Sequence, residues 1–163
     1  MKILIVKLSS LGDVLHNLPV VWDIRARYPE AQVDWVIEEG FAGLLDPLMT
    51  TPTFKGVDRV IPLALRRWKK SFKNGEFICS IQEFIAFKKD LQTTSYDLII
   101  DTQGLIKSAV LGKIAKLNDG GRIVGPANKT QYSGFEPLTR YFYTETVQVP
   151  MHLHAVERAR WVT

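Results

Sequence analysis

Apolar residues in this chain fall into short runs separated by polar turns, and the first run is Ile3, Leu4, Ile5 and Val6. Four consecutive apolar residues, three of them β-branched, are too few for a helix and predict a strand buried on both faces. The run gives way at Ser9, Ser10, Leu11, Gly12 and Asp13, after which Val14, Leu15, Leu18, Val21 and Trp22 recur at helical spacing. That helix is expected to end near Tyr28-Pro29. The same succession of strand, polar turn with glycine, and helix returns at residues 96–101 (YDLIID), 102–104 and 105–114, with Leu105, Ile106, Ala109, Val110 and Ile114 expected inward. Residues 32–37 and 57–65 predict two further strands, Pro62 marking the end of the second or a position without a ladder bond. Residues 41–48 predict a short helix, and residues 76–92 a long one with Phe77, Ile78, Ile81, Phe84, Ile85 and Leu91 on its packed face. A fifth strand is expected at 122–125, a loop at 126–134, and a last helix after Glu136-Pro137-Leu138 with Tyr141, Phe142 and Tyr143 packed. Elements alternating in this way predict one α/β domain over residues 1–163, a Rossmann-like, doubly wound parallel sheet with right-handed crossovers.

Composition narrows the class without choosing a function. With 163 residues, 46% hydrophobic and 23% charged, the chain has the balance of an ordinary soluble domain. The single cysteine, Cys79, excludes an internal disulfide and is expected to pack within the long helix; a reducing, cytoplasmic compartment follows. No secretory signal and no apolar segment near the ~20 residues of a membrane span is evident. The net charge of +4 points to an anionic partner such as a phosphorylated sugar, acidic lipid or nucleic acid.

Candidate chemistry concentrates at the turns. In open α/β sheets ligands collect at the carboxyl ends of strands, beside helix N-termini. There Ser10 and Asp13 have the spacing of a capping box, a purely structural use. Alternatively Asp13 projects into the cleft as a general base and Gly12 leaves room for a sugar or phosphate. A helix N-terminus lowers a carboxylate's pKa, so such a base is ionised but weak and serves a reaction in which the proton leaves late. The turn lacks the G-x-G-x-x-G dinucleotide fingerprint. Gln103 and Lys107 occupy the matching turn of the second unit, where Asp101 and Thr102 have the residue types of caps. Glu38 and Glu39 follow the second strand with no ligand set to complete them, and His152 and His154 form no more than half a metal site. Residues 66–73 (RRWKKSFK) carry five cations, no acid and two aromatics, expected to form a solvated basic loop or a clamp for phosphates and carboxylates. So compact a patch favours phosphorylated lipid or sugar over nucleic acid.

Six stretches carry a family resemblance: ILIVKLSSLGDVLHNLP at residues 3–19, DWVIEEGF at 34–41, VIPLALRRWKK at 60–70, IDTQGLIKSA at 100–109, EPL at 136–138 and HAVER at 154–158. Each is weak singly, but in order they span nearly the whole chain, which resembles the N-terminal half of the lipopolysaccharide heptosyltransferases, glycosyltransferases of the GT-B fold. The resemblance implies transfer of heptose from ADP-heptose to Kdo-lipid A, with inversion, without a metal, at the periphery of the inner membrane. It implies Asp13 as general base, Ser10 and Gly12 shaping its turn, and Arg66, Arg67, Lys69 and Lys70 holding the acceptor's phosphates and carboxylates. Gln103 and Lys107 are candidate acceptor contacts from the sheet edge. Phe135 departs from the family pattern, which has a basic residue before Glu-Pro-Leu. A GT-B enzyme binds its nucleotide sugar mainly through a C-terminal domain, so residues 1–163 are expected to be the acceptor-binding domain and to transfer nothing alone. The alternatives are a related heptosyltransferase acting on a heptosylated acceptor, and a non-catalytic module for phosphorylated lipid or sugar.

Overall fold

Residues 1–75, 77–131 and 133–163 are described in a computed structural model of the chain. Six strands, β1 (Lys2–Val6), β2 (Gln32–Glu38), β3 (Arg59–Leu63), β4 (Ser95–Asp101), β5 (Lys116–Pro126) and β6 (Glu145–Val147), form one parallel sheet in the order β3-β2-β1-β4-β5-β6. The doubly wound α/β class expected from the sequence is the one observed. In β1, Ile3 and Ile5 enter one core while Leu4 and Val6 enter the other, so a run with no polar alternation is what a two-sided strand requires. The first core is covered by α1 (Leu11–Asn17), α2 (Pro19–Arg27) and α6 (Ala155–Trp161), the second by α3 (Leu65–Lys73), α4 (Phe77–Leu91) and α5 (Ile106–Ile114).

Several elements differ from expectation. The first helix is two, because Pro19 has no N–H to continue the ladder and instead starts α2 as its first residue. Residues 66–73 are helical rather than a loop: Leu65, Trp68 and Phe72 make one apolar face, with Trp68 packed edge-on against Phe84 and Phe87. The start expected at Glu76 lies outside the described residues. On α4 only Ser80, Phe87 and Leu91 are buried; Phe77, Ile78, Ile81, Phe84 and Ile85, expected to pack, are exposed, as is Cys79. On α5 the buried residues are Ser108, Ala109, Leu111 and Gly112, so Leu105, Ile106, Val110 and Ile114 are only half-buried. β5 begins at Lys116, ahead of expectation, because the polar residues between Leu117 and Arg122 form an irregularity in its pairing with β4. The last expected helix is a 3₁₀ turn, Pro137–Tyr141, leaving Tyr141 exposed and Tyr143 buried, and it is followed by the unforeseen β6.

At the amino edge of the sheet a buried polar group ties three elements. Asp34 accepts from the Tyr96 hydroxyl at 2.7 Å and Arg59 Nε at 3.2 Å, and Arg59 also donates to Tyr96 Oη at 3.1 Å and to Thr93 Oγ1 at 2.7 Å.

Candidate functional site

From β1 the sheet grows toward β2 and β3 on one side and toward β4, β5 and β6 on the other. The turns leaving β1 and β4 therefore diverge at the carboxyl edge and open a crevice between them. The cleft found there, about 120 Å³, is lined by Lys7, Asp13, His16, Thr102, Gln103 and Arg158, among others.

Asp13 sits at the third position of α1 and is half-buried. Its Oδ2 accepts from the Ser10 backbone N–H at 3.0 Å and the Ser10 hydroxyl at 3.1 Å. No donor among the described residues engages Oδ1. The structural and the chemical uses of this carboxylate are thus compatible: one oxygen holds the turn and the other is available to the cleft. Burial acts to raise the Asp13 pKa, but the Ser10 N–H, the Lys7 charge and the Ser10 hydroxyl outweigh it, and the carboxyl titrates below its ordinary value. Gly12 has a backbone any residue could adopt, and a Cβ there would meet nothing within 4 Å. The fold does not need a glycine at this position; the space beside it is open.

Lys7, at the foot of the same turn, is buried, with Nζ donating to the Thr102 carbonyl at 3.4 Å. Burial lowers its pKa against the opposing pull of Asp13 and Asp101. A cation closing an all-apolar strand run is a signal that sequence reading passed over.

Gln103 bridges the two turns through its side-chain amide. Its Oε1 accepts from the Leu8 and Ser9 N–H groups at 3.0 and 3.3 Å, and its Nε2 donates to the Ser9 carbonyl at 2.9 Å. It fastens the two turns together, a positioning task, while still lining the cleft. Behind it Asp101 is fully buried and accepts from the Gln103 and Gly104 N–H groups, Ser108 Oγ and Tyr143 Oη at 2.8, 3.2, 2.8 and 2.7 Å. Burial raises its pKa in spite of these donors. Gly104 is required in this turn, since its φ is +71° and a Cβ would lie 2.9 Å from Pro126 Cγ. Across the cleft α6 brings in Arg158, which bonds the Gln131 carbonyl and Thr130 Oγ1, and His154, whose ring meets His16 edge-on at 5.6 Å. Phe135 also lines the cleft.

The cations of residues 66–70 do not line this cleft. They lie on α3, beyond β3 at the edge of the sheet, and its start is tied to the carboxyl edge by Glu38, which accepts from the Arg66 N–H at 2.8 Å. Arg66 also lies over the Phe41 ring at 5.0 Å. Arg67 is held between Glu39 and Glu83 at 3.0 and 2.6 Å, so its charge is already matched. Lys69 and Lys70 are exposed and make no ion pair among the described residues. Lys107, exposed in the first turn of α5, stands between the two regions: it lines a groove shared with Lys69 and its charge is felt at Lys7.

Residues 84–163 match the family model of glycosyltransferase family 9 (heptosyltransferase). Over 162 residues, 98% of the chain, the sequence is 41% identical to lipopolysaccharide heptosyltransferase 1 of Escherichia coli (strain K12), of which it covers 46%. The protein of the same name from Pseudomonas aeruginosa is 42% identical over 168 residues, 98% of this chain and 41% of the relative. The structure of E. coli heptosyltransferase WaaC with ADP-2-deoxy-2-fluoro heptose superposes with a TM-score of 0.80 at 40% identity, covering 98% of this chain and 46% of that one. The chain spans about half the length of the relatives it matches.

Proposed function

We propose that this chain, a member of glycosyltransferase family 9 (heptosyltransferase), forms the acceptor side of an enzyme that transfers the heptose of ADP-heptose to Kdo-lipid A with inversion. What supports this most is Asp13, an ionised carboxylate with one uncommitted oxygen in the switch-point cleft. An acceptor hydroxyl beside that oxygen attacks the anomeric carbon. The new C–O bond forms as the bond from that carbon to the diphosphate oxygen breaks, ADP leaves with the electron pair, and the hydroxyl proton passes to Asp13. A base of low pKa suits an oxocarbenium-like displacement, in which the acceptor proton is released late. Ser10 holds the carboxylate, Gln103 holds the turn, and Lys7 sets a positive charge against Asp13. Arg66, Lys69, Lys70 and Lys107 meet the acceptor's phosphates and carboxylates, while Arg67 braces α3. The diphosphate donor is bound by a second domain outside residues 1–163, and the reaction runs on the cytoplasmic side of the inner membrane, peripheral to it. No helix among the described residues is long and apolar enough to cross a membrane.

The test is a fusion of this chain to the C-terminal half of the E. coli relative, assayed with ADP-heptose and short-chain Kdo-lipid A. Transfer to the Kdo sugar is the expected result. A folded fusion that transfers only to an already heptosylated acceptor, or not at all, would contradict it. Transfer is expected to survive EDTA, because positive charge in the cleft comes from Lys7 and Arg158; loss on chelation that a divalent ion restores would refute the metal-free reaction. Gly12→Ala is expected to stabilise the chain by roughly 0.5–1 kcal/mol, as Gly→Ala does within helices. The same change weakens acceptor binding by filling the open space. Thermal melting and acceptor titration check the two halves of that prediction, and a lower melting temperature would count against it.

A further inference from the structure

In the turn that leaves β4 the fold finds a use for the polar side chains on either side of Thr102. Asp101 accepts from four donors, and the Gln103 amide bridges to Leu8 and Ser9. The backbone of Thr102 is also used: its N–H donates to the Val6 carbonyl at 3.3 Å and its carbonyl accepts from Lys7 Nζ at 3.4 Å. Its hydroxyl oxygen is different, being buried and meeting no donor or acceptor among the described residues. A buried hydroxyl without a partner destabilises a fold, and a methyl group in its place would not. Asn17 also has buried polar atoms without a partner, but of the two residues it is Thr102 that lines the cleft.

The surroundings of this residue are those of a site for an electron-rich oxygen. Lys7 and Arg158 bring positive charge to the lining, and Asp13 is its one acid. The long contact to the Thr102 carbonyl is the one hydrogen bond that Lys7 Nζ makes among the described residues, so a buried ammonium is left with donors to spare. Thr102 sits at the carboxyl end of β4, which is the direct neighbour of β1, the strand that leads to Asp13.

We propose that Thr102 is a specificity-determining residue: on turning about its Cα–Cβ bond to the cleft side, its hydroxyl donates to an acceptor-sugar oxygen other than the attacking one, and Lys7 Nζ donates to the same oxygen. Threonine side chains move between staggered positions, and Thr102 is only half-buried, so this rotation needs no change of backbone. Asp13 then receives the attacking hydroxyl while Thr102, from the adjacent strand, fixes a second point of the same sugar. Two fixed points decide which hydroxyl is presented to the base. A site built to bond a substrate oxygen discriminates against the analogue that lacks it, because the protein group is then left unpaired. In the free chain the Thr102 hydroxyl is already unpaired, so the bond made to the acceptor replaces no bond within the protein. This assignment rests on the acceptor-side function proposed above.

The experiment compares Thr102→Val and Thr102→Ser with the parent in the fusion to the C-terminal half of the E. coli relative, and melts the same variants of the 163-residue chain. Thr102→Val is expected to raise the acceptor KM about tenfold, with kcat within about twofold and the KM for ADP-heptose unchanged. Its melting temperature equals or exceeds the parent's, since an unpaired hydroxyl has been removed. Thr102→Ser restores the hydroxyl and keeps the parent's acceptor KM. Acceptor analogues lacking one hydroxyl at a time, or with the carboxylate reduced to an alcohol, identify the oxygen: one of them is about tenfold weaker with the parent and no weaker still with Thr102→Val. An unchanged acceptor KM in Thr102→Val, analogue losses that all add to the substitution, or a rise confined to the donor KM would overturn the proposal. So would a lower melting temperature, which would give the hydroxyl a structural partner; Thr102→Ala carries the same test if valine does not fold. A parent fusion that transfers no heptose counts against the proposed reaction itself, whereas a parent that transfers and is matched by Thr102→Val counts against Thr102 alone.

Discussion

Asp13→Asn in the fusion lowers the rate of heptose transfer by about 10³-fold and leaves the stability of the domain within about 0.5 kcal/mol of the parent. The substitution separates the two uses of one side chain. An asparagine oxygen still accepts from the Ser10 N–H and hydroxyl, which Asp13 holds at 3.0 and 3.1 Å, so the capping arrangement survives. What is lost is a carboxylate able to take the acceptor proton. Asp13→Ala loses the same activity and in addition about 1 kcal/mol of stability, the usual cost of a removed helix cap. Were Asp13 only a cap, Asp13→Asn would be nearly silent in both assays and Asp13→Ala would be moderately destabilising. The pH profile adds a further check. The folded pKa of Asp13 lies below its unfolded value, so its contribution to stability is present above the ordinary carboxylate range and is lost as pH falls through the lower folded value. Asp13 therefore stays ionised from about pH 5 upward, and no acid limb in the transfer rate between pH 5 and 7 should trace to it.

Arg59→Leu costs about 3 kcal/mol, or roughly 6–12 °C in melting temperature, without touching the cleft. Asp34 is fully buried, and Arg59 supplies its counter-charge at 3.2 Å from a position with 27% side-chain exposure. Removing the guanidinium leaves Tyr96 and Gln32 as neutral donors to a buried carboxylate and also frees the loop groups that Arg59 holds around Thr93. Asp34→Asn on the Arg59→Leu background recovers part of the loss, because the uncompensated charge is then gone. Additive losses in the double variant, measured by denaturant unfolding, would contradict the pairing as the source of the effect.

These two sites mark how far the chain's organisation can be read without coordinates. The run at residues 3–6 identifies a central parallel strand because both its faces are buried, and the Ser10–Asp13 spacing identifies the turn above it. The strand order, and with it the meeting of the turns after β1 and β4, follows from long-range pairing that no local pattern encodes. For the same reason the bonds of the Gln103 amide to Leu8 and Ser9, more than ninety residues away, have no signal in the local sequence. Residues 66–73 are misjudged when charge is weighed above spacing: five cations obscure Leu65 and Trp68, which dock the helix on the core. On α4 the error runs the other way, since an apolar stripe signals burial by something, and the core accounts only for Ser80, Phe87 and Leu91.

The most direct test of the acceptor site is amide chemical-shift mapping of the 163-residue chain during titration with a soluble, short-chain Kdo-lipid A analogue. The predicted result is a contiguous set of shifts at Ser10, Gly12, Asp13 and Thr102 through Lys107, extending to the start of α3, with the Asp34–Arg59–Tyr96 region unchanged. Shifts confined to α3 and α4, with Ser10, Gly12 and Asp13 unmoved at saturation, would contradict the placement of the acceptor hydroxyl against Asp13.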